Sequence, residues 1–271
     1  MFKPANNSIR LWSATKSPPE SADLNLHRFK ILVLIIACDN PKYYVDMQAM
    51  WMSNMRSHSA FDVWFVKSKP ASMWISDTDL KDTDLLGLDT DLLEFDEASR
   101  TVFVKQDETY IPGILNKTIV AMDYFFNKYS DYTHVWRTNL SSVLDFDGFL
   151  QFLWSDVGRR CAYAGFSGQN GSVSFASGAG FLLIREAALF LVANHSLVLS
   201  WDQIDDVAIG RLLCPVFGLT HIDRLWIKNL DDPVRDAILE KGVFQFRCET
   251  HNHSNTLIFM QKVFNVIRDF S

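Results

Sequence analysis

The chain has 271 residues, 48% hydrophobic and 21% charged, which excludes global disorder and allows a sizeable core. A formal net charge of -6 argues against a nucleic-acid coat or a polybasic membrane surface. The four cysteines, Cys38, Cys161, Cys214 and Cys248, form no C-x-x-C pair, which disfavours a zinc site or a disulfide scaffold and favours free thiols in a reducing compartment.

Residues 1–29 are polar and aperiodic and read as an N-terminal extension, with one globular domain over 30–271. Ile31 to Ala37 is a short, continuous, branched apolar run, as in a first strand buried on both faces of a parallel sheet. It ends in the turn signal Cys38-Asp39-Asn40-Pro41, followed by a helical mix over 42–58 and a second strand, Phe61 to Lys67. Strand, helix, strand in this order predicts an α/β sheet with a right-handed crossover.

Asp-Thr-Asp-Leu occurs at Asp77, Asp82 and Asp89. The glycine and glutamate of a calcium loop are missing at the required offsets, so repeated acidic surface turns are expected. Thr101 to Lys105 reads as a strand. Pro112 to Lys128 reads as a helix with Ile114, Leu115, Ile119, Met122 and Phe126 on one face. Tyr132 to Trp136 begins as a strand, and Arg137 to Ser142 reads as a polar turn at its end, where open α/β sheets place ligands.

A helix from about Asp147 follows, with Asp147 as its cap. Tyr163 to Phe166 is strand-like, 167–174 reads as a Gly/Ser/Asn loop, and Phe175 to Ile184 precedes an amphipathic helix ending near Asn194. A further helix is expected from about Gln203 through Leu213. The C-terminal part reads as a strand from Val243 to Cys248, a loop with His251 and His253, and a helix from Asn255 to Phe270. The longest apolar run, from Phe181, is interrupted at Arg185 and Glu186, so no membrane span is expected and the chain reads as soluble, cytoplasmic or otherwise.

Three blocks carry a resemblance: Tyr110 to Thr118, Arg137 to Ser142, and Phe175 to Phe181 followed by Ile204-Asp205-Asp206-Val207 and Gly218-Leu219. In this order they resemble fringe-like β-1,3-glycosyltransferases. The resemblance implies a single GT-A type, Rossmann-like α/β domain with a mostly parallel central sheet flanked by helices. It also implies an inverting hexosyltransferase that moves a sugar from a nucleotide diphosphate donor, UDP-sugar foremost, to a hydroxyl of a glycan, glycoprotein or glycolipid. The departure is at Asn139-Leu140-Ser141, where the family carries its acidic D-x-D metal motif.

Inverting transfer needs a base for the acceptor hydroxyl and positive charge for the leaving diphosphate. The resemblance assigns the base to Asp206 and a supporting role to Asp205; helix-start stabilisation is the bland alternative for both. Cys38 and Asp39 would face nucleotide and ribose. Arg137, Thr138, Ser141 and Ser142 would meet phosphate, and Gly178 and Gly180 would let the backbone approach the sugar. Arg137 pairing with a nearby Asp is the alternative for that residue. Mn2+ or Mg2+ is doubtful because Asn139 is neutral; Asn139, His251 and His253 are the weak metal candidates. A catalytically degenerate nucleotide-sugar- or glycan-binding protein on the same fold is the competing reading.

Overall fold

The computed structural model describes residues 29–39, 41–55, 58–73, 92–250 and 252–270. Most of the expected extension, the three Asp-Thr-Asp-Leu segments apart from Leu92, and His251 lie outside the described residues. The strands in chain order are β1 (Ile31–Ile36), β2 (Phe61–Lys69), β3 (Leu93–Asp96), β4 (Thr101–Lys105), β5 (His134–Asn139), β6 (Ser142–Leu144), β7 (Tyr163–Asn170), β8 (Val173–Ile184), β9 (Thr220–His221), β10 (Leu225–Trp226) and β11 (Gln245–Arg247). The helices are α1 (Tyr43–Asn54), α2 (Gly113–Lys128), α3 (Phe146–Trp154), α4 (Arg185–Ala193), α5 (His195–Leu199), α6 (Asp205–Phe217), α7 (Val234–Lys241) and α8 (His253–Phe270).

An eight-stranded sheet runs in the order β3-β4-β2-β1-β5-β8-β7-β9, and a three-stranded sheet in the order β10-β11-β6. The architecture is mixed α/β, a large central sheet flanked by helices. Its centre, β4-β2-β1-β5, is parallel, whereas β3, β8 and β7 join antiparallel. Antiparallel pairing fits where hairpins or short returns replace helical crossovers.

Every residue of β1 is buried, as its unbroken apolar run requires of a strand covered on both faces. The period-2 geometry of the strand splits that run between two cores. Ile31, Val33 and Ile35 join Trp51, Trp136, Phe149 and Phe264 on one side. Leu32, Leu34 and Ile36 join Ile119, Phe125, Phe181 and Leu213 on the other. All four cysteines are free thiols, and no described helix is long and apolar enough to cross a membrane.

Three local expectations are corrected. Arg137, Thr138 and Asn139 belong to β5, and only Leu140 and Ser141 form the turn. Their polar side chains are accommodated in a buried strand because β8 and α6 supply partners for them. The expected loop over 167–174 is instead the hairpin of β7 and β8, with a bulge between Gly165 and Ser167. Helix α3 starts one residue before Asp147, with Asp145 at the N-cap and Asp147 in the first turn.

Candidate active site

The parallel register brings the ends of β1 and β5 to one level, Ile36 opposite Asn139, while β2, paired there at Val66, continues to Lys69. Chemistry-bearing side chains leave the sheet there. Lys67 pairs with Asp39, just past β1. Lys117 of α2, 1% exposed, donates to the Ala37 carbonyl at 2.9 Å and to both Glu108 oxygens at 2.7 and 2.9 Å. Burial pulls the Lys117 pKa down, and the Glu108 carboxylate works against that shift. Its ammonium therefore ties the end of β1 to the loop before α2. Cys38 is half-buried beside it.

The acidic pair stands on the first turn of α6, which packs on β8. Asp205 binds the Arg137 guanidinium at 2.5 Å. A second nitrogen of Arg137 donates to the Gly178 carbonyl, and the side chain is only 4% exposed. Asp206 takes different partners. One of its oxygens accepts from the Gly178 N–H at 3.0 Å and the other from its neighbour's N–H, Val207, at 2.9 Å. Burial and then the adjacent Asp205 charge raise the Asp206 pKa, while the Gly178 N–H and Arg137 moderate the rise. Tyr110, exposed at the end of the loop before α2, feels both carboxylates, and its hydroxyl pKa is raised by burial and by them.

The glycines have structural occupants. A Cβ at Gly178 would stand 2.8 Å from an Arg137 nitrogen and 3.6 Å from both the Asp205 and the Asp206 carboxylates. A Cβ at Gly180 would stand 2.3 Å from the Gln245 amide and 2.7 Å from the Trp136 ring. Thr138 donates to the Ala179 carbonyl at 2.7 Å, which fixes β8 against β5.

Asn139 turns toward the smaller sheet. Its Oδ1 accepts from Ser142 at 2.9 Å and from Arg247, whose guanidinium also pairs with Glu249. Ser141 lies farther from that oxygen, at 3.5 Å. Arg224, just before β10, donates to Ser177 at 3.1 Å and stacks its guanidinium 4.3 Å from the centre of the Phe166 ring. Burial and then the like charge of Arg247 pull the Arg224 pKa down to about 10, with Glu249 opposing, so Arg224 remains a cation at neutral pH. His253 opens α8 and lies flat on Tyr43, ring centres 3.5 Å apart. Among the described residues, no three His, Cys, Asp or Glu side chains are grouped to hold a metal ion.

No protein-family model matches the sequence, and no curated protein matches it. Among solved structures, the chain is similar to a glycosyltransferase involved in the glycosylation of the major capsid of PBCV-1. The identity is 7% and the TM-score 0.48, covering 86% of this chain and 98% of that one. It is also similar to the galactosyltransferase LgtC in complex with donor and acceptor sugar analogues, at 9% identity and TM-score 0.45, over 89% of this chain and 96% of that chain. The glycosyltransferase GlyE of Streptococcus pneumoniae TIGR4 is similar at 8% identity and TM-score 0.44, over 89% of this chain and 63% of that chain. Function is argued from the side chains of a site, not from the course of a backbone.

The fold thus places Cys38, Asp39 and Asn139 at the ends of β1 and β5, joins Arg137, Gly178, Asp205 and Asp206 in one hydrogen-bonded group, and sets Ser142 of the small sheet beside Asn139. Gly180 lies deeper, covered by Gln245, and His253 sits on α1. A cavity of about 180 Å³ opens elsewhere, between Trp51, His58, Asp145 and Phe264, and none of the candidate residues lines it. Sequence reasoning missed Lys67, Glu108, Lys117 and Arg224. Lys117 carried a signal, a lone charge among Leu115, Ile119 and Ala121 on the buried side of α2. Arg224 carried none, because it lies in a short connection without periodicity.

Proposed function

We propose that the chain is an inverting glycosyltransferase of GT-A type, moving a sugar from a nucleotide diphosphate donor to an acceptor hydroxyl. The observation that carries this reading is the placement of Asp206. Its carboxylate sits at the strand-end edge, each oxygen held by one backbone N–H, with a pKa raised by burial and by Asp205. Held in this way, each oxygen keeps a lone pair for the acceptor proton, and the raised pKa brings the base closer to working pH. The hydroxyl oxygen attacks the anomeric carbon as its proton passes to Asp206, and the bond to the nucleoside diphosphate breaks on the opposite face. Asp205 acts through Arg137, fixing the start of α6 against β8, and does not itself meet the substrate.

Asn139 does not suit a divalent cation, since its amide oxygen already serves a guanidinium and a hydroxyl. Transfer without a metal therefore belongs to the proposal. A nucleotide-sugar-binding protein without turnover is the second reading, favoured by the same replacement of a carboxylate by Asn139. A panel of nucleotide sugars, UDP-sugars first, assayed with manganese and with chelator, separates the two. Transfer or donor hydrolysis persisting in chelator supports the enzyme; binding with no turnover supports the alternative. Asp206→Asn should abolish turnover and leave donor affinity nearly intact, and an active variant would remove Asp206 from the role of base.

A further inference from the structure

We propose that Arg224 and Arg247 form a two-guanidinium clamp for a diphosphate group, standing where a carboxylate-held divalent cation would otherwise be needed. The strand geometry puts both side chains on one face. Trp226 of β10 pairs in register with Arg247 of β11, and Arg224 lies two residues before Trp226, so all three share a side of the small sheet. Ser142 of β6 is directly opposite Arg247 on the same side. Gln245, two residues before Arg247, lies against Gly180, which shows that this face looks onto β8 of the large sheet.

Four of the five cations around the site have a carboxylate partner within ion-pair distance. Lys67 has Asp39, Lys117 has Glu108, Arg137 has Asp205 and Arg247 has Glu249. Arg224 has no carboxylate within ion-pair distance among the described residues. Its hydrogen bond goes to the Ser177 hydroxyl and its face to Phe166. Arg224 is close enough to Arg247 to feel its like charge, a shared anion stabilises two such guanidinium groups, and planar forks suit the oxygens of a diphosphate. Ser177, which holds Arg224, is the neighbour of Gly178, which holds Asp206. The clamp and the proposed base are therefore anchored on consecutive residues of β8. Arg137, expected from sequence to meet phosphate, is sequestered by Asp205 and by the Gly178 carbonyl and is not part of the clamp.

Naming the diphosphate as that of a sugar donor rests on the transfer reading; the clamp itself does not. Calorimetric titration of the full chain with inorganic pyrophosphate and with UDP, each in chelator and in manganese, tests it. The wild type should bind both in chelator. Arg224→Gln and Arg247→Gln should each weaken both about ten- to hundredfold, the size of a lost charge-assisted contact. Arg224→Lys and Arg247→Lys should recover part of the affinity, with circular dichroism confirming a folded chain throughout. Binding that appears only with manganese, or glutamine variants as tight as wild type, would overturn the clamp. A chain that binds pyrophosphate through both arginines but transfers no sugar would refute the transfer reading and leave the clamp standing. Manganese-dependent transfer with unaffected arginine variants would do the reverse.

Discussion

Arg137 shows how far a side chain's role depends on partners remote in sequence. Its guanidinium is enclosed between the Gly178 carbonyl and the Asp205 carboxylate, 41 and 68 residues away. Its Nε is buried without a partner. Arg137→Ala would leave Asp205 buried without its counter-ion, so the cost is that of an uncompensated charge, about 3–5 kcal/mol. Removing both members, as Arg137→Met with Asp205→Leu, should cost less than the two single changes together, because no orphan charge remains. Urea unfolding of the wild type, Arg137→Met, Asp205→Leu and the double variant measures this. A single variant within about 0.5 kcal/mol of wild type would mean the pair is not closed in solution.

Helix α6 carries Asp206 to the sheet edge, and what sets its distance from β8 is Gly210. A Cβ at that position would stand 2.5 Å from the Ser174 carbonyl and 2.7 Å from the Phe175 Cα, contacts with backbone that no rotamer change relieves. Gly210→Ala should push the helix off the strand and lengthen the bond from the Gly178 N–H to Asp206. A displacement of about 1 Å in a catalytic group lowers turnover about a hundredfold. We expect kcat to fall by at least about tenfold with donor affinity little changed, and thermal unfolding to come earlier. Full turnover in a folded Gly210→Ala protein would show that the helix contact does not position the base. Elements of this kind divide into those visible in sequence and those that are not. The buried run of β1, the apolar face of α2 and the paired acids opening α6 each have a local signature. Arg137-Thr138-Asn139 has the letters of a turn but lies in a strand, because Gly178, Asp205 and Ala179 accept from Arg137 and Thr138, and Arg247 donates to Asn139 from afar. The Gly/Ser/Asn segment after Phe166 likewise pairs as β7 and β8 despite low strand propensity, since the hairpin continues the ladder of their buried ends, Tyr163 to Gly165 against Phe181 to Leu183. Arg247 is a phosphate or acceptor candidate from its place on a strand beside the histidine loop, whereas Arg224, in a short connection before β10, has no such signature.

At the scale of the whole molecule, two buried ionisable groups outside the candidate site set opposing pH dependences. His134, packed edge-on against Phe29, has its pKa pulled down to about 4 by burial, with Glu186 opposing. Asp145, before α3, has its pKa pushed up to about 6 by burial, with Asp147 adding to the rise. As pH falls from about 6.5 to 4, the unfolded chain protonates the histidine and the folded chain does not, so acidification destabilises through His134. Over about the same window the folded chain keeps the Asp145 proton that the unfolded chain has lost, so acidification stabilises through Asp145. Each shift exceeds two pKa units, about 3 kcal/mol, and the two contributions largely offset each other in the wild type. Single variants should expose them. Asp145→Asn should match wild-type stability near pH 4 and exceed it by about 3 kcal/mol at pH 7, apart from any pH-independent change in packing. His134→Gln should gain on the wild type as pH falls through about 6.5 to 4 by a similar amount. Urea midpoints measured across this range decide the matter: stability differences that stay constant with pH would show that neither group is buried in its folded-state form.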